Sequence, residues 1–241
     1  MNNVAHIPAQ ALPTIIENPP TIKEKFTKSI GVRTSDYKFI RDIENLKIML
    51  PMVSRVEEVD SFRTLLDQAI TQLKSEGFNI SRPSVGIMIE VPSAMMVLKH
   101  LAKRVDFISI GSNDLTQYLL AVDRNNPKVS SLYNFLNPAV ISSINYIVKE
   151  AHKYRLKDSL CGAMASDPAA VLLLLGMGID TLSMSAFNIP KVKWVIRTIS
   201  QKQAKSLLVK VLALESEECI RHLLENELNI SGLSALIRAG S

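Results

Sequence analysis

Residues 106–124 read DFISIGSNDLTQYLLAVDR. The stretch opens as a short apolar strand, Phe107-Ile108-Ser109-Ile110, and breaks at Gly111-Ser112. It then presents Asn113 and Asp114, continues with helical apolar spacing, and closes on Asp123-Arg124. A strand that ends in a small-residue turn and delivers an amide and a carboxylate is how α/β folds build sites at their strand ends. Asp114 can ligate a hard cation, Asn113 can orient an oxyanion, and Arg124 can grip phosphate or carboxylate with its planar fork. Spacing alone equally allows a buried strand followed by a polar helix cap, with Arg124 on the surface.

Working outward, the grammar from Leu46 onward is strand, helix, strand. Leu46–Met52 is an apolar strand. Ser54 and Glu57 have capping-box spacing, and Val56, Val59, Phe62, Leu65, Leu66, Ile70 and Leu73 line one helical face up to Gly77. Val85–Glu90 is a second strand, and Pro92 opens a helix expected to reach Lys103. Downstream of Arg124, Asn137-Pro138 caps a helix to Tyr154, and Ser159–Ala165 reads as a fourth strand. Asp167-Pro168 starts a helix closed by Gly176 or Gly178, Thr181–Ser185 reads as a fifth strand, and Pro190 opens its helix. Two or three further helices finish the chain. Such strands read as buried on both faces, which indicates a parallel sheet.

Residues 1–45 differ. Pro8, Pro13, Pro19 and Pro20 punctuate them, and Lys23, Lys25 and Lys28 follow without a strong apolar period. The expectation is a poorly structured tail with one short helix over Thr21–Lys28. The whole chain has 241 residues, of which 47% are hydrophobic, enough for one sizeable core. A net charge of +5 with scattered Lys and Arg and only 5% aromatics argues against a nucleic-acid stripe. The two cysteines, Cys161 and Cys219, do not make a disulfide framework. The longest apolar run, Ala169–Met177, is too short to span a membrane, and nothing at the start reads as a signal peptide. The expected compartment is the cytoplasm.

Two more residues stand at strand ends. Glu90 follows the second strand, and strand C-termini of a parallel barrel share one face, so Glu90 and Asp114 can serve one cation. The alternative for Glu90 is an N-cap on the helix at Pro92. Cys161 ends the fourth strand, where a thiol can give a proton to a carbanion-like carbon. A lone strand cysteine is otherwise a small core hydrophobe.

From Leu46 to the C-terminus the chain resembles the phosphoenolpyruvate-utilising enzymes, in particular the phosphoenolpyruvate–protein phosphotransferases (enzyme I of the bacterial phosphotransferase system). The run Gly111-Ser112-Asn113-Asp114-Leu115-Thr116-Gln117-Tyr118, with Asp123-Arg124 after it, carries the resemblance. Leu101–Asn126 and Gly232–Gly240 are similar to the nitrogen-regulatory form. The resemblance implies a (β/α)8 TIM-type barrel, of which the five βα units match strands four to eight. A full barrel takes about 250 residues, so a partial, N-terminally truncated barrel is expected over 46–241.

It further implies Mg²⁺ held by Glu90 and Asp114. Asn113, Asp114 and Arg124 would bind phosphoenolpyruvate, and Cys161 would protonate C3 of enolpyruvate. Further expectations are a histidine-phosphorylatable carrier protein as partner and a homodimer, with no nucleic-acid or membrane partner. The family's residues after the cysteine run Cys-Gly-Glu-x-Ala-Gly-Asp; here Ala163 replaces the glutamate and Ser166 a glycine. Val32-Arg33-Thr34-Ser35-Asp36 is similar to a second-strand Arg motif of the family, but it lies too close to Leu46 and is read as coincidence. None of His6, His100, His152 and His222 has the context of the family's phosphorylated histidine. Two functions therefore stand foremost, a phosphoenolpyruvate-binding phosphotransferase domain or an inactive remnant that at most binds the ligand or dimerises; a third, another phosphoenolpyruvate-barrel enzyme such as a pyruvate dikinase or an aldolase-type lyase, fits the signature less well.

Overall fold

The computed structural model describes Val4–His6 and residues 46–238, with side chains for residues 46–236. The chain divides into two units, residues 1–108 and 109–241, and within each the strands lie in chain order. The helix expected over Thr21–Lys28 lies outside the described residues.

In the first unit, β1 (Val4–His6) pairs in parallel with β2 (Lys47–Leu50), which pairs in parallel with β3 (Ser84–Ile89). Val85 to Ile89 are buried without alternation, as strands covered on both faces must be. Between β2 and β3 runs α1 (Val56–Ser75), whose Val59, Phe62, Leu66 and Ala69 face the core. Its start is held by Glu58, one residue later than the capping-box spacing predicts. The Glu58 carboxylate accepts from Ser54 N–H at 2.8 Å, Ser54 Oγ at 3.1 Å and Arg55 N–H at 3.2 Å.

The helix expected from Pro92 to Lys103 is two short pieces, α2 (Pro92–Met96) and α3 (Leu98–Leu101), broken at Val97. Where β4 (Phe107–Gly111) begins, Asp106 clasps β3: its N–H donates to the Val85 carbonyl and its carboxylate accepts the Val85 N–H, both at 2.7 Å. Gly86 makes room for the Phe107 ring, since a Cβ there would fall 2.3 Å from it. Lys47 Nζ lies 5.5 Å from the centre of that ring.

In the second unit, α4 (Ser112–Leu120) follows β4 directly. Asn137 caps α5 (Pro138–Lys153), accepting the Ala139 N–H, and Val140, Ile141, Ile144, Ile147, Val148 and Ala151 are buried along it. Strand β5 (Lys157–Cys161) starts and stops earlier than expected. Gly162, at φ +100°, ends it, and Ala163–Ser166 is the short helix α6 rather than strand. Helix α7 (Pro168–Met177) is apolar on every side and buried, capped by Asp167 at its start and by left-handed Gly178 at its end. Gly176 lets another helix approach it, because a Cβ there would sit 2.5 Å from the Ala204 carbonyl.

Strand β6 is only Thr181–Leu182 and pairs in parallel with β5. Helices α8 (Ile189–Thr198), α9 (Gln201–Val211), α10 (Glu217–Ile230) and α11 (Ala235–Arg238) complete the unit. Helix α10 ties down the loop before α5: the Glu217 carboxylate accepts from Asn134 Nδ2 at 2.8 Å and Asn137 Nδ2 at 2.7 Å. Among the described residues no helix is long and apolar enough to cross a membrane.

Candidate functional site

The end of β4 and the end of β5 meet through Ser112. Its side chain is wholly buried, and its Oγ donates to the Cys161 carbonyl at 2.6 Å. Thr116 Oγ1 donates back to the Ser112 carbonyl at 2.7 Å. Two strand ends are thereby fixed side by side, which a site built from both requires.

Asn113 adds a second tie. Its Oδ1 accepts the Ala163 N–H at 2.9 Å, and its own carbonyl accepts Tyr133 Oη at 3.2 Å. Gly162 lies between these contacts: a Cβ there would meet Ser112 Oγ at 2.4 Å and Asn113 Oδ1 at 2.7 Å. Gly162 is thus required twice, for its backbone angle and for the space beside Asn113. Asn113 spends its carbonyl oxygen on the β5–α6 turn, which leaves its amide nitrogen as the group that can donate to an anion.

Asp114 and Arg124 form an ion pair, Oδ1 to Nη2 at 3.1 Å, each about one-third exposed. Arg124 reaches back because α4 ends at Ala121 in a left-handed conformation, φ 52°. A non-glycine residue there costs about 1–2 kcal/mol. The turn is supported by Val122 N–H on the Gln117 carbonyl at 3.0 Å and Arg124 N–H on Gln117 Oε1 at 3.3 Å. The second terminal nitrogen, Arg124 Nη1, is buried and has no hydrogen-bond partner. A buried donor left unmet costs about 1–3 kcal/mol, which an anionic oxygen would recover. Burial pushes the Tyr133 phenol above its ordinary value, while the Thr116 hydroxyl and the Arg124 charge pull the other way. Tyr133 therefore stays a neutral donor beside these groups.

Cys161 is half-buried, and its Sγ–H donates to the Ile110 carbonyl at 3.6 Å. The thiol thus sits between the ends of β4 and β5, in the same unit as Asn113, Asp114 and Arg124. Glu90 belongs to the first unit. It is 4% exposed, and its Oε1 accepts the N–H of Met52, a residue with φ 54°. Helix α2, which follows, has Val91 as its N-cap and no side-chain cap bond at that position.

Sequence reasoning missed Ser112, Gln117 and Tyr133. Ser112 read as a turn residue and Gln117 as a helix position, and Tyr133 stands in an irregular loop with no periodicity to mark it. For Ser112, the signal was its place directly after a strand-ending glycine.

The fold and the sequence both have known counterparts. A crystal structure of a citrate lyase from Burkholderia xenovorans LB400 superposes with a TM-score of 0.51 at 13% identity, covering 96% of this chain and 92% of that one. That likeness supports the α/β class of the fold, for which the family resemblance implied an incomplete (β/α)8 barrel. A Salmonella typhimurium LT2 protein named phosphoenolpyruvate-dependent phosphotransferase system is 43% identical over 197 residues, which is 81% of this chain and 26% of that protein. A phosphoenolpyruvate-protein phosphotransferase of Haemophilus influenzae is 43% identical over 190 residues, 76% of this chain and 33% of that one. The multiphosphoryl transfer protein 2 of Escherichia coli K12 is 37% identical over 220 residues, 91% of this chain and 26% of that one. This chain thus spans about a quarter to a third of the length of these curated relatives.

The family model described as PEP-utilising enzyme, PEP-binding domain matches residues 22–201, a span that begins before Leu46 and takes in Val32–Asp36. Over most of its length, then, the chain belongs to the PEP-utilising enzymes and carries their PEP-binding domain.

Proposed function

We propose that this chain binds phosphoenolpyruvate for a phosphoenolpyruvate–protein phosphotransferase. The observation that carries the reading is the unmet Arg124 Nη1 beside Asp114, with Cys161 in the same unit. Arg124 holds the phosphate with Nη1 and keeps Asp114 on Nη2. The Asn113 amide nitrogen donates to the ligand while its oxygen stays on Ala163 N–H.

The residues fit a hard cation. Asp114 is partly exposed and has an oxygen beyond the one paired with Arg124, and Mg²⁺ takes one or two carboxylates plus substrate oxygens. Asp114 would hold Mg²⁺, and Glu90 is the proposed second ligand from its place directly after β3. When bound, Mg²⁺ supplies charge neutralisation at the transferring phosphoryl group. The protein's own work is positioning: Arg124 and Asn113 fix the ligand's anionic groups, and the Gly162 turn brings its backbone close. The Cys161 thiol gives its proton to C3 of the enolate as pyruvate forms, so the S–H bond breaks and a C–H bond forms. The phosphoryl group goes to a histidine outside this domain and from there to a carrier protein. A homodimer in the cytoplasm is the proposed setting.

One observation favours a binding domain with weakened turnover. Ala163 stands where the family carries a glutamate, and it contributes only its backbone N–H to the site. Cysteine footprinting tests the main reading. With phosphoenolpyruvate and Mg²⁺ present, alkylation of Cys161 should slow at least about fivefold while exposed Cys219 is unaffected, because the ligand covers the sulfur. Equal slowing of both cysteines, or of neither, would contradict it.

A further inference from the structure

A second cluster lies at the opposite end of β5. Strands β5 and β6 pair in the register Ser159↔Thr181, so one step earlier Asp158 and Asp180 stand side by side. Adjacent like charges destabilise a strand pair unless something neutralises them. The two carboxylates exchange backbone bonds: Asp180 N–H donates to Asp158 Oδ1 at 2.8 Å, and Asp158 N–H to Asp180 Oδ2 at 3.3 Å. His152, in the last turn of α5, brings Nε2 to 3.0 Å from Asp158 Oδ2. One ligand atom from each of the three residues lies within 4.8 Å of the other two.

Asp158 decides what the cluster is for. Its side chain is fully buried, and Oδ2 meets no regular hydrogen-bond donor; what stands beside it is His152 Nε2 at 3.0 Å, an ion pair when the imidazole is protonated. A buried carboxylate oxygen and an imidazole nitrogen 3.0 Å apart have the edge length of two ligands on one metal. With bonds of about 2.0–2.2 Å, neighbouring ligands fall about 3.0–3.5 Å apart. Burial pushes the Asp158 carboxyl above its ordinary value, opposed chiefly by the Asp180 N–H and then by His152. Lys157 Nζ reaches Asp180 Oδ1 at 3.2 Å but is 80% exposed, and so neutralises the buried carboxylate poorly. The His152 side chain is 40% exposed and that of Asp180 31%, so an ion can enter from solvent. Gly178 flanks the ring, and a Cβ there would lie 3.8 Å from His152 Cε1.

We propose that His152, Asp158 and Asp180 bind a first-row divalent transition ion of the zinc class. The imidazole selects against Mg²⁺, which prefers all-oxygen shells, and three protein ligands with an open side suit Zn²⁺ plus water. Asp158 and Cys161 are three residues apart on β5, about 10 Å at strand rise, so the ion is separate from the phosphoenolpyruvate site. It neutralises the paired aspartates and staples α5, β5 and β6 together. The proposal does not depend on the ligand-binding function.

Zn²⁺ calorimetry and Co²⁺ absorption on the intact chain test it, with His152→Gln, Asp158→Asn and Asp114→Asn as variants. One site per chain is expected, weakened more than about tenfold by His152→Gln and by Asp158→Asn and unchanged by Asp114→Asn. Zn²⁺ should also raise the Tm of the unaltered chain. No binding, or binding that His152→Gln leaves intact, would overturn the site and leave a His–Asp ion pair only. If Asp158→Asn does not fold, the ¹⁵N resonances of the His152 ring in the unaltered chain decide. A shift on Zn²⁺ addition supports the site, and unchanged resonances overturn it.

Discussion

Arg124 and Gly162 are the residues on which the site turns. The Arg124→Lys variant keeps a charge but loses the fork that holds Asp114 with one nitrogen and offers the other to a ligand. It should weaken phosphoenolpyruvate binding more than about tenfold with little change in Tm. Binding within about twofold of the unaltered chain would show that Nη1 does not meet the ligand. Gly162→Ala combines a left-handed backbone with a Cβ inside contact distance of Ser112 and Asn113. It should cost about 1–3 kcal/mol of stability, read as a lowered Tm, and should release Ala163 N–H from Asn113. Part of this geometry was legible in advance: Asn113, Asp114 and Cys161 were named from their places at or just past strand ends and Arg124 from the close of the same segment, and Asp114 and Arg124 do pair. What was not legible is the partnering. Asn113 binds a backbone group 50 residues away, and Tyr133 reaches its carbonyl from an irregular loop. No local pattern encodes such contacts.

The alternation of elements was readable because buried parallel strands and capped helices leave strong marks, such as Asn137-Pro138 and Asp167-Pro168. The boundaries failed where small apolar residues suit either state. Ala163–Ala165 look like the continuation of β5, yet Gly162 turns the chain into α6. In the same way Val97 interrupts what the sequence presents as one helix. Helix α10 offers a test at this scale. Glu217 accepts from two asparagines in the loop that leads to α5, and Arg221 pairs with Asp167 Oδ2 at 2.9 Å. Glu217→Ala removes both acceptors and should lower stability by about 1–3 kcal/mol in denaturant melts, with increased proteolysis around Asn134. A melt within about 0.5 kcal/mol of the unaltered chain would mean that water replaces the carboxylate.

For the molecule as a whole, exposed apolar side chains predict association. Phe187 is 84% exposed, and Trp194, Ile189 and Ile196 are also open to solvent on or beside α8. Patches of this kind mark contact surfaces. Light scattering at micromolar concentration should give a dimer, and a Phe187→Glu, Trp194→Glu double variant should give a monomer; a monomeric unaltered chain would contradict this. The chain should also stay unlabelled by phosphoenolpyruvate alone, since none of His6, His100, His152 and His222 has the sequence context of the family's phosphorylated histidine. An acid-labile phosphohistidine in the purified chain would overturn that expectation. The central claim is that this domain binds phosphoenolpyruvate through a metal and Arg124, and titration calorimetry with and without Mg²⁺ tests it most directly. The account predicts binding in Mg²⁺ that falls sharply in its absence and is lost in Arg124→Ala. No heat at millimolar ligand, or equal binding in Mg²⁺ and in chelator, would contradict it.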